Sequence, residues 1–176
     1  MNTWQMTVES PIQAITLTAT SKGIARLHLG AKDPLKEAPS GAPGFLKATA
    51  DQLAAYFAGD LKTFDVPLDL QGTPFQKRVW EALLQIPFGQ TWSYEQQALW
   101  LGNIKLTRAV GAANGRNPVA IIVPCHRVIG KNGTLTGYAG GVDKKQSLLE
   151  LESGGRLLDT RLQQKPKRAV ETWLAM

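Results

Sequence analysis

The stretch SYEQQALWLGNIKLTRAVGAANG, residues 93–115, decides the fold. Ser93 can cap a helix, and Gln96, three residues on, can complete a capping box. The helix this predicts runs to about Leu101 and stops at Gly102. A second helix is expected over roughly 107–115. Two short helices joined by about five residues match a helix-turn-helix arrangement. The second helix carries small side chains, Ala109, Gly111, Ala112, Ala113 and Gly115, with Arg108 and Arg116 near its ends. Glycine costs helix stability, so a helix this bare implies close approach, either by a partner or by another helix.

Upstream, TPFQ is a further start signal, with Thr73 as cap, Pro74 at the first helical position and Gln76 closing the box. Phe75, Val79 and Leu83 then share a face until Pro87. Nearer the N-terminus the pattern changes to period two. Ile15, Leu17 and Ala19 alternate with threonines, SKG (residues 21–23) supplies a turn, and IARLHL follows with Leu27 and Leu29 on one face. This predicts a hairpin, with His28 on its solvent side. The proline- and glycine-rich stretch 32–44 reads as a loop. Leu46, Ala50, Leu53 and Phe57 then mark a helix that ends at Gly59. The expected fold class is therefore α+β: a sheet-plus-helix domain over 1–71, a mostly helical domain with the helix-turn-helix over 72–155, and a basic tail over 156–176.

A chain of 176 residues can bury such cores without staples. The start MNTWQMTVES lacks the basic and apolar regions of a signal peptide, and no window has the apolar length to cross a bilayer. A cytoplasmic protein without membrane contact is expected. One cysteine and two histidines exclude an internal disulfide, a multi-cysteine zinc site and a His-rich metal centre, so the chemistry is expected to need no metal. Of the net charge of +6, residues 1–70 contribute six Lys/Arg against seven Asp/Glu, and residues 71–176 fourteen against seven. All the basic excess thus lies in the second part, which suits either solubility or a polyanion such as nucleic acid.

The single cysteine lies in VPCHRVIG, residues 123–130. Free cysteines are commonly buried and inert. Against that, Pro124 is expected to end a strand formed by Ile121, Ile122 and Val123, bringing Cys125 out at its terminus. His126 and Arg127 follow, and both can favour a thiolate. Adjacent side chains in extended backbone point apart, so His126 would need a bent backbone or a bridging water to serve the sulfur.

IIVPCHRVIG (121–130), followed by GYAGG (137–141) and LLELE (148–152) and preceded by RAVGAANGRNP (108–118), resembles the O6-alkylguanine-DNA alkyltransferases. The likeness is dense from Gly72 to about Gly154 and looser before it. It implies single-use repair of duplex DNA containing O6-alkylguanine, with O4-alkylthymine as a second substrate, by irreversible transfer of the alkyl group to Cys125. No cofactor and no obligate protein partner are implied, and a monomer is expected. By the resemblance, His126 is the general base acting through water, and Glu152 rather than Glu150 orients it. Tyr94 donates a proton to the leaving base and touches DNA. Arg108 enters the stack behind a flipped base, and the helix bearing Ala109, Gly111, Ala112 and Arg116 lies in the minor groove. Tyr138 and the Ala139 backbone close over the base, the carbonyls of Val128 and Cys125 read its amine beside Pro124, and Asn117 ties the helix to the active-site segment.

Gln97, the stretch Asn103–Thr107 and the long tail after Glu152 depart from the family's pattern. Gln97 stands where an aliphatic residue is usual, so different packing of the first helix is expected, and Asn103–Thr107 replaces the common turn. The tail carries five basic and two acidic residues and is expected to be disordered or a short helix. Competing classes are a lesion-binding module of the alkyltransferase-like kind, which lacks the acceptor cysteine, a cysteine hydrolase using Cys125, His126 and Glu152, and a plain DNA-binding regulator.

Overall fold

The computed structural model describes residues 2–30, 36–138 and 140–154. The expected tail 156–176, the Ala139 backbone and part of the 32–44 loop lie outside the described residues. The chain forms two compact units: Met1–Gln71 with Pro118–Ile122, and Gly72–Asn117 with the chain from Val123 onward. No helix among the described residues is long and apolar enough to cross a membrane.

The first unit is a three-stranded antiparallel sheet in the order β1 (Trp4–Val8), β2 (Ile15–Ala19), β3 (Ile24–Leu29), with helix α1 (Gly44–Phe57) packed on β2. The sequence predicts only the β2–β3 hairpin. β1 joins through the pairs Met6↔Leu17 and Thr7↔Thr16, and its outer edge is covered by Lys36, which exchanges two backbone hydrogen bonds with Thr7 (2.9 and 3.1 Å). Met6, Ile15, Leu17, Ala19, Ile24 and Leu27 are buried, while His28 faces solvent. The inward stripe of α1 is Leu46, Thr49, Leu53 and Tyr56, rather than the Ala50 and Phe57 expected, which are half-buried. Thr49 can be inward because its hydroxyl donates to the Phe45 carbonyl at 2.6 Å. Gly59 ends the helix at φ +83°.

Residues 118–122, expected within the second domain, belong to the first unit. The physical reason is the edge of β3: the Leu27 N–H donates to the Pro118 carbonyl at 2.9 Å, and Leu27 pairs with Val119 in parallel.

The second unit is built on α2 (Pro74–Leu83), α3 (Tyr94–Trp100) and α4 (Thr107–Asn114). Both capping boxes form: Thr73 with Gln76 and Ser93 with Gln96 each satisfy two N-terminal donors reciprocally, each cap contributing about 1 kcal/mol. Between α3 and α4 the chain turns at Gly102 (φ +101°), Asn103 caps the Lys105 N–H, and a short 3-10 turn over Ile104–Leu106 leads into α4. Trp80 of α2 is buried and donates its indole N–H to the Ala113 carbonyl of α4 at 2.9 Å. Its ring also explains Gly72, where an added Cβ would lie 2.5 Å from a ring carbon. A two-residue strand β4 (Trp92–Ser93) pairs in parallel with β5 (Val128–Ile129), and α5 (Val142–Glu152), absent from the expected elements, closes the unit.

Gln97 does pack differently from an aliphatic side chain. It is fully buried and exchanges two side-chain bonds with Asn114: Gln97 Nε2 donates to Asn114 Oδ1 at 3.0 Å, and Asn114 Nδ2 donates to Gln97 Oε1 at 2.7 Å. The Gln97 amide also reaches the Val79 carbonyl at 3.3 Å, so one polar pair joins all three helices. Gln97→Leu is expected to cost about 1–3 kcal/mol, because it leaves the Asn114 amide buried without a partner. Adding Asn114→Leu should recover part of that loss. Urea denaturation in a double-mutant cycle measures the coupling, and strictly additive losses would count against the pair.

Candidate active site

Cys125 is the first residue of a 3-10 turn, Cys125–Arg127, that runs straight into β5. No strand leads into it, contrary to the sequence expectation. Ile121 has φ +73° and the Ile122 N–H donates to the Ala120 carbonyl at 2.9 Å, a strained γ-turn. Pro124, at φ −84° and ψ 66°, centres an unstrained inverse γ-turn closed by the Cys125 N–H on the Val123 carbonyl at 2.9 Å. A β-branched apolar run would ordinarily extend, but tight turns bend it here, and Pro124 sets the bend rather than ending a strand. Asn117, on the segment after α4, holds the bend by donating from Nδ2 to the Val123 carbonyl at 2.7 Å.

The bent backbone separates the three consecutive side chains Cys125, His126 and Arg127. His126 is fully buried, with Nε2 2.7 Å from Glu152 Oε1. Glu152 also receives a fork from Arg127: Nε donates to Oε2 and Nη2 to Oε1, each at 2.9 Å. The third arm of the fork, Nη1, donates to the Ile86 carbonyl at 2.6 Å, and the guanidinium lies 5.8 Å from the Phe88 ring centre. Burial pushes the Glu152 carboxyl up, but His126 and Arg127 outweigh it and bring the group down to about 2. Burial lowers His126 against the pull of Glu152, so at neutral pH the imidazole is neutral and the carboxylate ionised. An ionised carboxylate can only accept, so the proton sits on Nε2 and Nδ1 carries the lone pair. Nδ1 is buried with no hydrogen-bond partner among the described residues.

Arg127 was expected to favour the thiolate, but its guanidinium is committed to Glu152. Cys125 is partly exposed, and burial of its sulfur raises the thiol. The Asn117 side chain, through a hydrogen bond, and the Lys145 ammonium oppose that rise. Glu150, the rival to Glu152, instead accepts from Gln146 on the outside of α5.

Two tyrosines complete the surroundings. The Tyr94 hydroxyl donates to the Thr136 carbonyl at 3.2 Å, and burial raises its ionisation. Tyr138 is raised well above the usual phenol range by burial, then by Cys125 and Glu152, and its hydroxyl is buried without a partner among the described residues. Both phenols therefore stay protonated at neutral pH. Pro124 and Val128, which flank the Cys125–Arg127 turn, are buried, and the Cys125 carbonyl accepts from the Val128 N–H. The structure brings Cys125, His126, Glu152, Asn117, Tyr94 and Tyr138 into one neighbourhood.

The α4 positions form a separate surface. Arg108, Ala109, Ala112, Gly115 and Arg116 are exposed, and Gly111 is half-buried. An added Cβ at Gly111 would meet only the Tyr94 ring at 3.8 Å, ordinary contact. Internal packing thus does not demand small residues at these exposed positions, whereas Ala113, buried where Trp80 of α2 meets its carbonyl, is accounted for by helix–helix contact. Among the described residues no group of three His, Cys, Asp or Glu could hold a metal ion.

Lys145 and Thr136 were not expected at this site. Lys145 was detectable once α5 is taken as a helix ending in a buried Glu152: positions 145, 148, 149 and 152 share one helical face, and all four residues are buried.

These features define a class: an α+β protein with a short helix pair, α3 and α4, a single partly exposed cysteine, and a neutral, carboxylate-anchored imidazole next to it in the chain. The chain belongs to the 6-O-methylguanine DNA methyltransferase family, whose ribonuclease-like domain model matches residues 5–70 and whose DNA-binding domain model matches residues 74–154. The methylated-DNA–protein-cysteine methyltransferase of Mycobacterium tuberculosis is 49% identical over 158 residues, covering 89% of this chain and 96% of that one. A relative of the same name from Methanosarcina acetivorans is 51% identical over 147 residues, covering 82% and 94%. A crystal structure of Mycobacterium tuberculosis OGT in complex with DNA has 48% identity, a TM-score of 0.75, and covers 88% of this chain and 95% of that chain.

Proposed function

We propose that the protein repairs duplex DNA by taking the methyl group from O6 of guanine onto Cys125. The observation that carries this reading is the orphaned Nδ1 of a neutral His126, fixed by Glu152 directly beside the chain's only cysteine. Nδ1 takes the thiol proton through a bridging water. The thiolate attacks the methyl carbon; the S–C bond forms, the C–O6 bond breaks, and its electron pair passes to the guanine. Tyr94, leaving the Thr136 carbonyl, gives a proton to N3 of the departing base, so the charge lost from sulfur never accumulates on the leaving group. The product thioether has no route back to a thiol, so each molecule acts once. The same displacement serves O4-alkylthymine.

The reacting carbon is inaccessible in a stacked duplex, and the reading therefore includes extrusion of the base. The exposed small face of α4, with Ala109, Gly111 and Ala112, fits the narrow minor groove. Arg108 fills the vacated stack, Arg116 meets the backbone, and Tyr138, the Ala139 backbone and the Val128 carbonyl hold the flipped base. The DNA complex of a relative 48% identical supports a nucleic-acid partner. The reaction needs no cofactor and no protein partner, and the protein is proposed to work as a cytoplasmic monomer.

Intact-protein mass spectrometry after mixing with duplex DNA containing O6-methylguanine should record one added methyl group, lost in Cys125→Ser. No gain, or a gain surviving that substitution, would reject the reading. Continued product release beyond about one equivalent would indicate a hydrolase instead, and binding without mass change a recognition module or regulator.

A further inference from the structure

We propose that Gln97 and Asn114 are positioning residues for the duplex reaction: their buried amide pair sets the rotational phase of α4 on α3, and with it the place of Arg108 relative to Tyr94. The inference rests on the reading above, in which α4 meets the duplex and Tyr94 protonates the extruded base.

The contact between the two helices has two rungs. Tyr94 and Gln97 lie one turn apart on α3, as do Gly111 and Asn114 on α4, so each pair shares a face. At the first rung the Tyr94 ring lies over Gly111, where an added Cβ would be 3.8 Å from two ring carbons. A flat ring on bare backbone is a non-directional contact, and it resists rotation of α4 only weakly. The second rung is directional. Gln97 Nε2 donates to Asn114 Oδ1 at 3.0 Å, and Asn114 Nδ2 donates back to Gln97 Oε1 at 2.7 Å. Hydrogen bonds weaken steeply as they bend, so this closed pair tolerates little slip in either direction. Gln97 Nε2 also donates to the Val79 carbonyl at 3.3 Å, and the next residue of α2, Trp80, holds the Ala113 carbonyl beside Asn114. With Gln97 fully buried and Asn114 6% exposed, neither amide can exchange its partner for water.

A satisfied amide pair adds little net stability over an apolar pair of the same shape. What it adds is direction, and fixing register is the best-attested use of a buried polar pair. The other side of α4 carries the exposed Arg108, Ala109, Ala112 and Arg116. A helix with its side chains is about 10–12 Å across, so a rotation of about 20° would carry a side chain on that face by about 2 Å. In the duplex reaction Arg108 must fill the stack while Tyr94 meets the base, and the pair holds those two residues in one frame. A free base is taken up without the outer face of α4, so only the duplex reaction senses the phase.

The rate on duplex O6-methylguanine DNA divided by the rate on a free O6-alkylguanine base isolates the phase from the chemistry. Both rates are read as alkylation of Cys125 by intact-protein mass spectrometry, and urea denaturation shows which variants fold. In Gln97→Leu/Asn114→Leu the ratio should fall about tenfold or more, with the free-base rate within about twofold of wild type. Gln97→Asn/Asn114→Gln exchanges the two amides and keeps their combined reach, so its ratio should stay within about threefold of wild type. An unchanged ratio in the Leu pair, whether both rates hold or both fall, overturns the proposal. So does an exchanged pair whose ratio falls beyond that range. If the Leu pair does not fold, Gln97→Met decides, because it keeps the side-chain length and Asn114 itself: an unchanged ratio overturns the proposal and a lowered one supports it. A wild-type protein that takes no alkyl group from either substrate would overturn the repair reading, a result distinct from any shift between two working reactions.

Discussion

Glu152→Gln is expected to slow methylation of Cys125 by roughly 100-fold or more and to destabilise the protein by about 3 kcal/mol. The carboxylate serves two buried partners, the Nε2 proton of His126 and the Arg127 fork. A glutamine has nearly the same shape, but only one of its two terminal atoms accepts. If the oxygen keeps His126, the amide nitrogen is turned toward the guanidinium, donor against donor, and Arg127 is left as an unpaired cation in the core. If the oxygen turns to Arg127, His126 loses the acceptor that fixes its tautomer, and Nδ1 no longer reliably carries the lone pair. Either way the base or the fold is compromised, which distinguishes this change from removal of the sulfur alone.

The pH dependence of stability carries the same signature. The folded carboxyl is held at about 2 against an ordinary value of 4.5. A depressed carboxyl stabilises fully above its unfolded value and loses that contribution as pH falls toward the folded one. Wild-type protein should therefore lose this contribution between about 4.5 and about 2, and Glu152→Gln should lack this part of the acid dependence. Urea denaturation across that range measures the stability, and single-turnover methylation at neutral pH measures the rate. A glutamine variant that reacts at the wild-type rate would remove Glu152 from the relay.

Arg108→Ala should lower the rate on duplex O6-methylguanine DNA by roughly tenfold or more, with little change toward a free O6-alkylguanine base. Arg108 is exposed in the first turn of α4 and forms no ion pair among the described residues, so its removal costs the fold little. On the proposed reading, a free base needs no extrusion, whereas a stacked base must be unpaired at a cost of a few kcal/mol that an inserted Arg108 side chain would offset. Rates on both substrates at several salt concentrations separate this from a phosphate contact, which would mainly reduce the salt slope. Equal losses on duplex and free base would end the assignment.

Much of the framework was legible because it is encoded locally. Capping boxes at Thr73 and Ser93, stop signals at Gly59 and Gly102, and the alternation of Ile15, Leu17 and Ala19 all act within a few residues of themselves. Elements whose signal lies elsewhere were missed. β1 is secured by pairing with β2 and by Lys36 on its edge. The run Ile121–Val123 contradicts its own propensity, since γ-turns and Asn117 bend what apolar β-branched residues alone would extend. Gln97 could be recognised as unusual, but its partner Asn114 stands on the next helix, and only packing brings the two amides within 3.0 Å.

At the site the division follows the same physics. The sequence by itself determined that one sulfur, flanked by Pro124 and His126, carries any thiol chemistry, because no other cysteine exists, and its motifs pointed to Glu152 over Glu150. Only the tertiary structure decided which charges reach that sulfur. Arg127, adjacent in the chain, is drawn away by the Glu152 fork, while Lys145, twenty residues on, is carried inward on the buried face of α5. Electrostatic partners are chosen by distance and burial in space, and neighbourhood along the chain sets neither.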